Sequence, residues 1–260
     1  MNTFRTAVRN QGIVVWALML RETKTLFGKH KLGYLWAPIN VAYGIGIFWF
    51  IRDYAGFEPP PGLSTPTFLI GGFIPFYLFS EMVTGGMNAI GGNKALLTYP
   101  QVQPLDLLIA RALLNGAMYF CVMVFLLVVA KFMGYLVDIP HPEIMLLALL
   151  LAVLLGFGTG CLCSALNLMW PTTNRIVPMI VRALFYVSGL FFSIEAAPSG
   201  AQNTLFFNPI SHLIEFLRSS FIPDHLSRFV YLPYVVGWIV VTLALGLFLE
   251  RYSRNYLDRI

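Results

Sequence analysis

Of 260 residues, 58% are hydrophobic and only 11% charged, with a mean hydropathy of +0.73, whereas a soluble domain carries about a quarter charged residues. The composition is that of a membrane protein and leaves no room for a sizeable soluble domain. The bases behind the net charge of +5 are scattered or lie beside apolar runs, which excludes a nucleic-acid binder with a basic face.

Arg5 and Arg9 precede an apolar run from Ile13 to Leu20 that Arg21, Glu22 and Lys24 end at once. The run is too short to span and lacks the small-residue cleavage site of a signal peptide. Residues 1–32 are therefore predicted to lie as an amphipathic helix in the cytoplasmic interface, with Trp16, Leu20 and Phe27 in lipid. The plainer alternative is an ordinary cytoplasmic tail. A spanning helix needs about 20 mostly apolar residues, and six such runs follow, at 33–51, 67–87, 106–130, 144–166, 176–194 and 231–249. Glu58 to Gly62, Pro140-His141-Pro142 and Trp170 to Asn174 break them, since proline and turn residues cannot continue a helix. Cys121, Cys161 and Cys163 all sit in apolar runs, which suits packing and not a disulfide framework or zinc site.

Lys and Arg concentrate in residues 1–32 and in the tail 251–260, with Lys94, Arg111 and Arg175 on the same side of an even number of spans. By the positive-inside rule both termini are cytoplasmic, and the loops at 52–66, 131–143 and 195–230 face outward. The chain is expected to be one all-α transmembrane domain over 1–260.

Catalytic machinery is not legible. The stretch GMNAIGGNK, Gly86 to Lys94, places its lysine late and follows it with Ala95 where a phosphate loop needs Ser or Thr. No metal site is expected, because His212 and Glu215 offer two ligands where three or four are needed. Two stripes stand out instead. Taking about 100° per residue, Trp36, Asn40, Tyr43, Ile47, Phe50 and Tyr54 fall within roughly 40° of one direction, with Ile45, Phe48 and Trp49 opposite and expected in lipid. Further along, Arg175, Met179, Arg182, Tyr186, Gly189 and Ser193 share a face. Both stripes suit a polar passage or helix packing. An arginine inside a membrane seeks a partner or water, so Arg182 either pairs with Glu81 or lines a passage for an anion.

Three stretches carry a family resemblance. RETKTLFGKHKLGYLWAP (Arg21 to Pro38) looks like the entry of the polysaccharide-exporting ABC permeases; NKALLTYPQVQPLD (Asn93 to Asp106) is similar to their first cytoplasmic loop, and NPISHLIEFLRSSF (Asn208 to Phe221) to their last extracytoplasmic segment. The likeness covers nearly the whole chain and is greatest to the capsular-polysaccharide branch. It implies a homodimer in the bacterial inner membrane, with two separate ATPase subunits that bind the ATP and Mg. A periplasmic adaptor and an outer-membrane channel would continue the route. The substrate it implies is an acidic polysaccharide on a lipid anchor. On that resemblance Trp36, Asn40, Tyr43, Phe50, Tyr54, Arg175, Arg182, Tyr186 and Ser193 line the canal. Lys94, Leu96, Leu97 and Tyr99 would couple to the ATPase through a short helix in 91–104. Phe207, His212, Glu215, Phe216 and Arg218 would belong to periplasmic gate helices within 195–230, read as amphipathic and resting in the outer interface. The alternative is an integral membrane enzyme acting on lipid-linked sugars, for which only Glu195, Glu215 and His212 are available outside.

Overall fold

Every element of the computed structural model is helical across the described residues 2–26, 36–56, 59–135, 137–223 and 227–254. In chain order these are α1 (Asn2–Leu26), α2 (Trp36–Tyr54), α3 (Thr65–Ala89), a 3-10 helix (Gly91–Leu96), α4 (Pro104–Phe132), α5 (Pro142–Met169) and α6 (Thr173–Tyr186). A short 3-10 turn (Ile194–Ala196), α7 (Ser199–Phe206), α8 (Pro209–Ser219) and α9 (Leu232–Ser253) complete the chain. The prolines that break the apolar runs are also what starts the next helices. Pro66, Pro104, Pro142, Pro209 and Pro233 occupy first-turn positions, where a missing N–H costs nothing. Side chains cap the same turns: Ser64 accepts from Thr67 N, Asn208 from Ile210 N, and Gln103 and Asp106 form a reciprocal capping box.

Four of these helices, α3, α4, α5 and α9, are long and apolar enough to cross a membrane, and α2 adds a shorter apolar stretch, Ile39–Arg52. The run at 176–194 does not form a spanning helix. α6 stops at Tyr186, a length of about 21 Å at 1.5 Å per residue against the ~30 Å of a hydrocarbon core. Gly189 then takes φ +73°, and the chain continues unwound to Ser193.

The core is built around α5, which packs against α3 on one side and α9 on the other. Glycines permit both approaches. A Cβ at Gly160 would stand 2.6 Å from Met82 O of α3, and one at Gly158 would stand 2.6 Å from Thr242 Oγ1 of α9. Phe68, Phe73, Ile74, Met123 and Leu155 fill the interior around these crossings. Because the obstacle at Gly160 is backbone, Gly160→Ala must push α3 and α5 apart. The expected cost is about 1–3 kcal/mol of overpacking, read as a lower melting temperature in detergent. Gly46→Ala on α2, where nothing lies within 4 Å, should leave that temperature unchanged or raise it slightly.

Candidate functional site

The first stripe is found on the surface of the chain. Asn40 is exposed, as are Tyr43 (68%) and Phe50 (71%), and Phe50 stacks on exposed Tyr54 with ring centroids 6.4 Å apart. The Trp36 side chain lies outside the described residues. The opposite face of α2 is not a lipid face. Ile45 is only 7% exposed, and Phe48 and Trp49 are half-buried against the core. The cause is Gly44, where a Cβ would come within 3.2 Å of Phe73; the bare backbone lets α2 lie close on α3. Phe48 thereby enters an interior aromatic cluster, 5.6 Å from Phe73 and 4.2 Å from Phe191, while Trp49 meets the edge of Tyr135 at 5.3 Å.

On α6, Arg175, Met179, Arg182 and Tyr186 are likewise exposed. No ion pair joins Arg182 to Glu81 among the described residues. The Glu81 carboxylate instead lies over Gly85, beside the side chain of Arg111. Ser193 leaves the α6 face altogether, since the chain is no longer helical there; its hydroxyl caps the 3-10 turn by accepting from Glu195 N.

The gate residues show the largest departure. The amphipathic pattern of 211–221 does not rest at a surface: every residue from Ile210 to Ser219 is buried, and α8 lies against α3 and α5. Its charges are spent on the unwound stretch that replaces the end of the expected fifth span. Arg218 donates to the carbonyls of Gly189 (2.9 Å), Leu190 (2.8 Å), Phe192 (3.4 Å) and Phe68 (3.3 Å), pairs with Glu215 at 3.2 Å, and lies 3.7 Å over the Phe68 ring. Glu215 in turn accepts from Ile194 N. Asn208 donates to Val187 O and Ser188 Oγ, and Arg52 of α2 donates to Phe191 O at 2.6 Å. Backbone that leaves a helix away from water must find other partners, and side chains of α8, its cap and α2 supply them. His212 is also structural: Nε2 lies 2.8 Å from Phe206 O, Nδ1 meets Phe229 O, and Phe206 packs edge-on to the ring. Phe216 is buried in the core and Phe207 is exposed.

At the other end of α3, the 3-10 helix and the turns after it expose Lys94 and Tyr99, whereas Leu96 and Leu97 fold inward onto the cluster of Val15, Leu18, Leu107 and Ala110. Those leucines, read as anchors for a partner, are half-buried and pack in part against α1. Three polar links fasten α1 at the same place: Gln11 to Asp106 (2.9 Å), Arg21 to Asn93 (2.8 Å), and Glu22 to Arg111, which also donates to Gly85 O. Sequence reading missed this clamp because Glu22, Asp106 and Arg111 looked like separate loop-side charges. The spare polar residues in short apolar surroundings were the available signal.

Residues 13–222 match the family model described as ABC-2 type transporter. The chain is 32% identical over 247 residues to the polysialic acid transport protein KpsM of Escherichia coli, covering 95% of this chain and 96% of that one. It is 25% identical to the capsule polysaccharide export inner-membrane protein BexB of Haemophilus influenzae, covering 94% and 92%. To CtrC of Neisseria meningitidis, named for the same role, it is 24% identical, covering 97% and 96%.

Proposed function

The chain belongs to the ABC-2 type transporter family, and from that premise we propose that it is the permease subunit of an exporter moving lipid-linked capsular polysaccharide across the bacterial inner membrane. It is a multi-pass membrane protein and not an enzyme; ATPase subunits are the partners that its family implies. The observation that carries the substrate class is the likeness, over nearly the full length of each chain, to proteins named for polysialic acid transport and capsule polysaccharide export.

Two copies bring the exposed α2 and α6 stripes around a canal. Aromatic faces such as Tyr43 and Phe50 give sugar rings apolar contact without fixed hydrogen-bond geometry, and Arg175 and Arg182 attract acidic groups. Both termini are cytoplasmic. α1 lies in the inner interface with Ile13, Trp16 and Leu20 toward lipid. α2 and α6 with its unwound extension complete six passages in one domain over 1–260. ATP and Mg belong to the partner subunits, and a periplasmic adaptor and outer-membrane channel receive the polymer. For the rival reading, a membrane enzyme acting on lipid-linked sugars, the three described groups it could use are all engaged. Glu215 is held by Arg218, Glu195 accepts from Ser227, and His212 is closed between backbone carbonyls.

The purified chain should hydrolyse no ATP by itself and should support polymer-stimulated hydrolysis once its ATPase subunits are bound. ATP binding by the permease alone would count against the reading. Within the complex, Lys94→Glu combined with Tyr99→Ala should weaken ATPase attachment by about 2 kcal/mol, some thirty-fold in Kd, at unchanged permease stability. Leu97→Asp should also lower stability, because it breaks the docking of α1.

A further inference from the structure

A cavity of about 820 Å³ opens where the end of α2 meets the unwound stretch, well inside the 300–1,000 Å³ range of small-molecule sites. Phe48 and Ile51 of α2, Leu69 of α3, and Phe191 and Phe192 of the unwound stretch form its walls, with Pro59 to Pro61 closing one side. These walls are preformed. Phe191 is tied through its carbonyl to Arg52 and through its ring to Phe48, and the Phe192 carbonyl is tied to Arg218.

We propose that this cavity binds an acyl chain. The cavity wall carries few polar side chains, Arg52, Ser193 and Glu195, and each already makes a hydrogen bond within the protein. Arg52 donates to Phe191 O and sits 4.7 Å over the Phe68 ring, Ser193 accepts from Glu195 N, and the Glu195 carboxylate accepts from Ser227. A sugar ring or a peptide, with many hydroxyls or amides, would meet only these three polar side chains among walls of Phe48, Ile51, Leu69, Phe191 and Phe192, leaving some of its own groups unpaired at roughly 1–3 kcal/mol each. A hydrocarbon chain asks for no hydrogen bonds and gains about 0.8 kcal/mol per CH₂ removed from water. The site therefore differs in chemistry from the exposed stripes of Tyr43, Phe50 and Arg182, and it goes beyond the export reading, since it requires only a chain embedded in a bilayer. The acyl chain can come from a bilayer phospholipid or from the lipid end of the exported polymer.

The test uses the full-length permease, without its ATPase, stripped of lipid in a steroid-based detergent that has no acyl chain, with palmitate carrying a photoactivatable diazirine in its tail. After irradiation, labelled residues are mapped by peptide mass spectrometry. Label on 191–196 should be saturable, falling about tenfold under an about tenfold excess of unlabelled palmitate, as mass action requires. Label on Val128 and Val240, exposed on α4 and α9, should not fall. Ala196→Trp at the rim and Ile51→Trp on the α2 wall should each abolish the saturable part and spare Val128. Displacement by added lipid-linked polymer but not by phosphatidylglycerol assigns the chain to the export substrate; displacement by phosphatidylglycerol assigns it to bilayer lipid. The proposal is overturned if label on 191–196 is absent or non-saturable, or if both tryptophan variants, folded by gel filtration, retain it. Neither outcome bears on transport, which is measured separately with the ATPase present.

Discussion

Arg218→Ala is expected to cost the folded permease about 3–5 kcal/mol, the toll of breaking a buried ion pair by removing one partner. Against the 5–15 kcal/mol that holds a typical protein together, that loss should sharply reduce the yield of monodisperse protein in detergent and lower its melting temperature. The magnitude follows from what the side chain holds. Arg218 is 2% exposed and serves four backbone carbonyls as well as Glu215. Its removal strands an anion and several acceptors where no water replaces it. Arg218→Lys keeps the charge but not the planar fork and should fall between wild type and alanine. Glu215→Gln should be milder, because an amide oxygen can still accept from Ile194 N. A melting temperature for Arg218→Ala equal to that of wild type would show that the unwound stretch is held by something else.

Arg182→Ala should do the reverse: stability within about 0.5 kcal/mol of wild type, as at an ordinary exposed position, and a clear fall in export, steepest for strongly acidic polymers. With no partner at Glu81 to strand, Glu81→Gln should rescue nothing. Cysteine substitution extends the test along both stripes, in a background lacking Cys121, Cys161 and Cys163. Charged thiol reagents modify the thiolate, which needs water. Cysteines at Tyr43, Phe50, Tyr54 and Tyr186 should therefore react nearly completely. Those at Ile45, packed on α3, and at Val128 or Val240, exposed on apolar helix faces, should stay unmodified. Equal reactivity at Phe50 and Val240 would remove the distinction between canal and lipid face on which the canal rests.

The membrane class, the all-helical fold and the bounds of α3, α4, α5 and α9 were legible in the amino-acid sequence, because a bilayer imposes one strong rule: a long apolar run becomes a helix that satisfies its own backbone. The shared faces of Tyr43, Phe50 and Tyr54 on α2 and of Arg175, Met179, Arg182 and Tyr186 on α6 were legible too, through helical periodicity, although Gly189 and Ser193 proved not to belong to the α6 face. Periodicity says which residues share a face but not what covers it. Gly44, by admitting Phe73, decided that Ile45, Phe48 and Trp49 turn inward. The amphipathic pattern of α8 was likewise real, yet its polar face meets protein where an interface was expected. Ser188-Gly189 was the available sign that α6 ends early, a turn dipeptide inside an apolar run. Its meaning depended on Arg218, Glu215, Asn208 and Arg52, between 20 and 139 residues away along the chain. Only the tertiary structure brings such partners to orphaned backbone groups, since a local pattern of apolar and polar residues carries no record of which distant side chain will complete a broken helix.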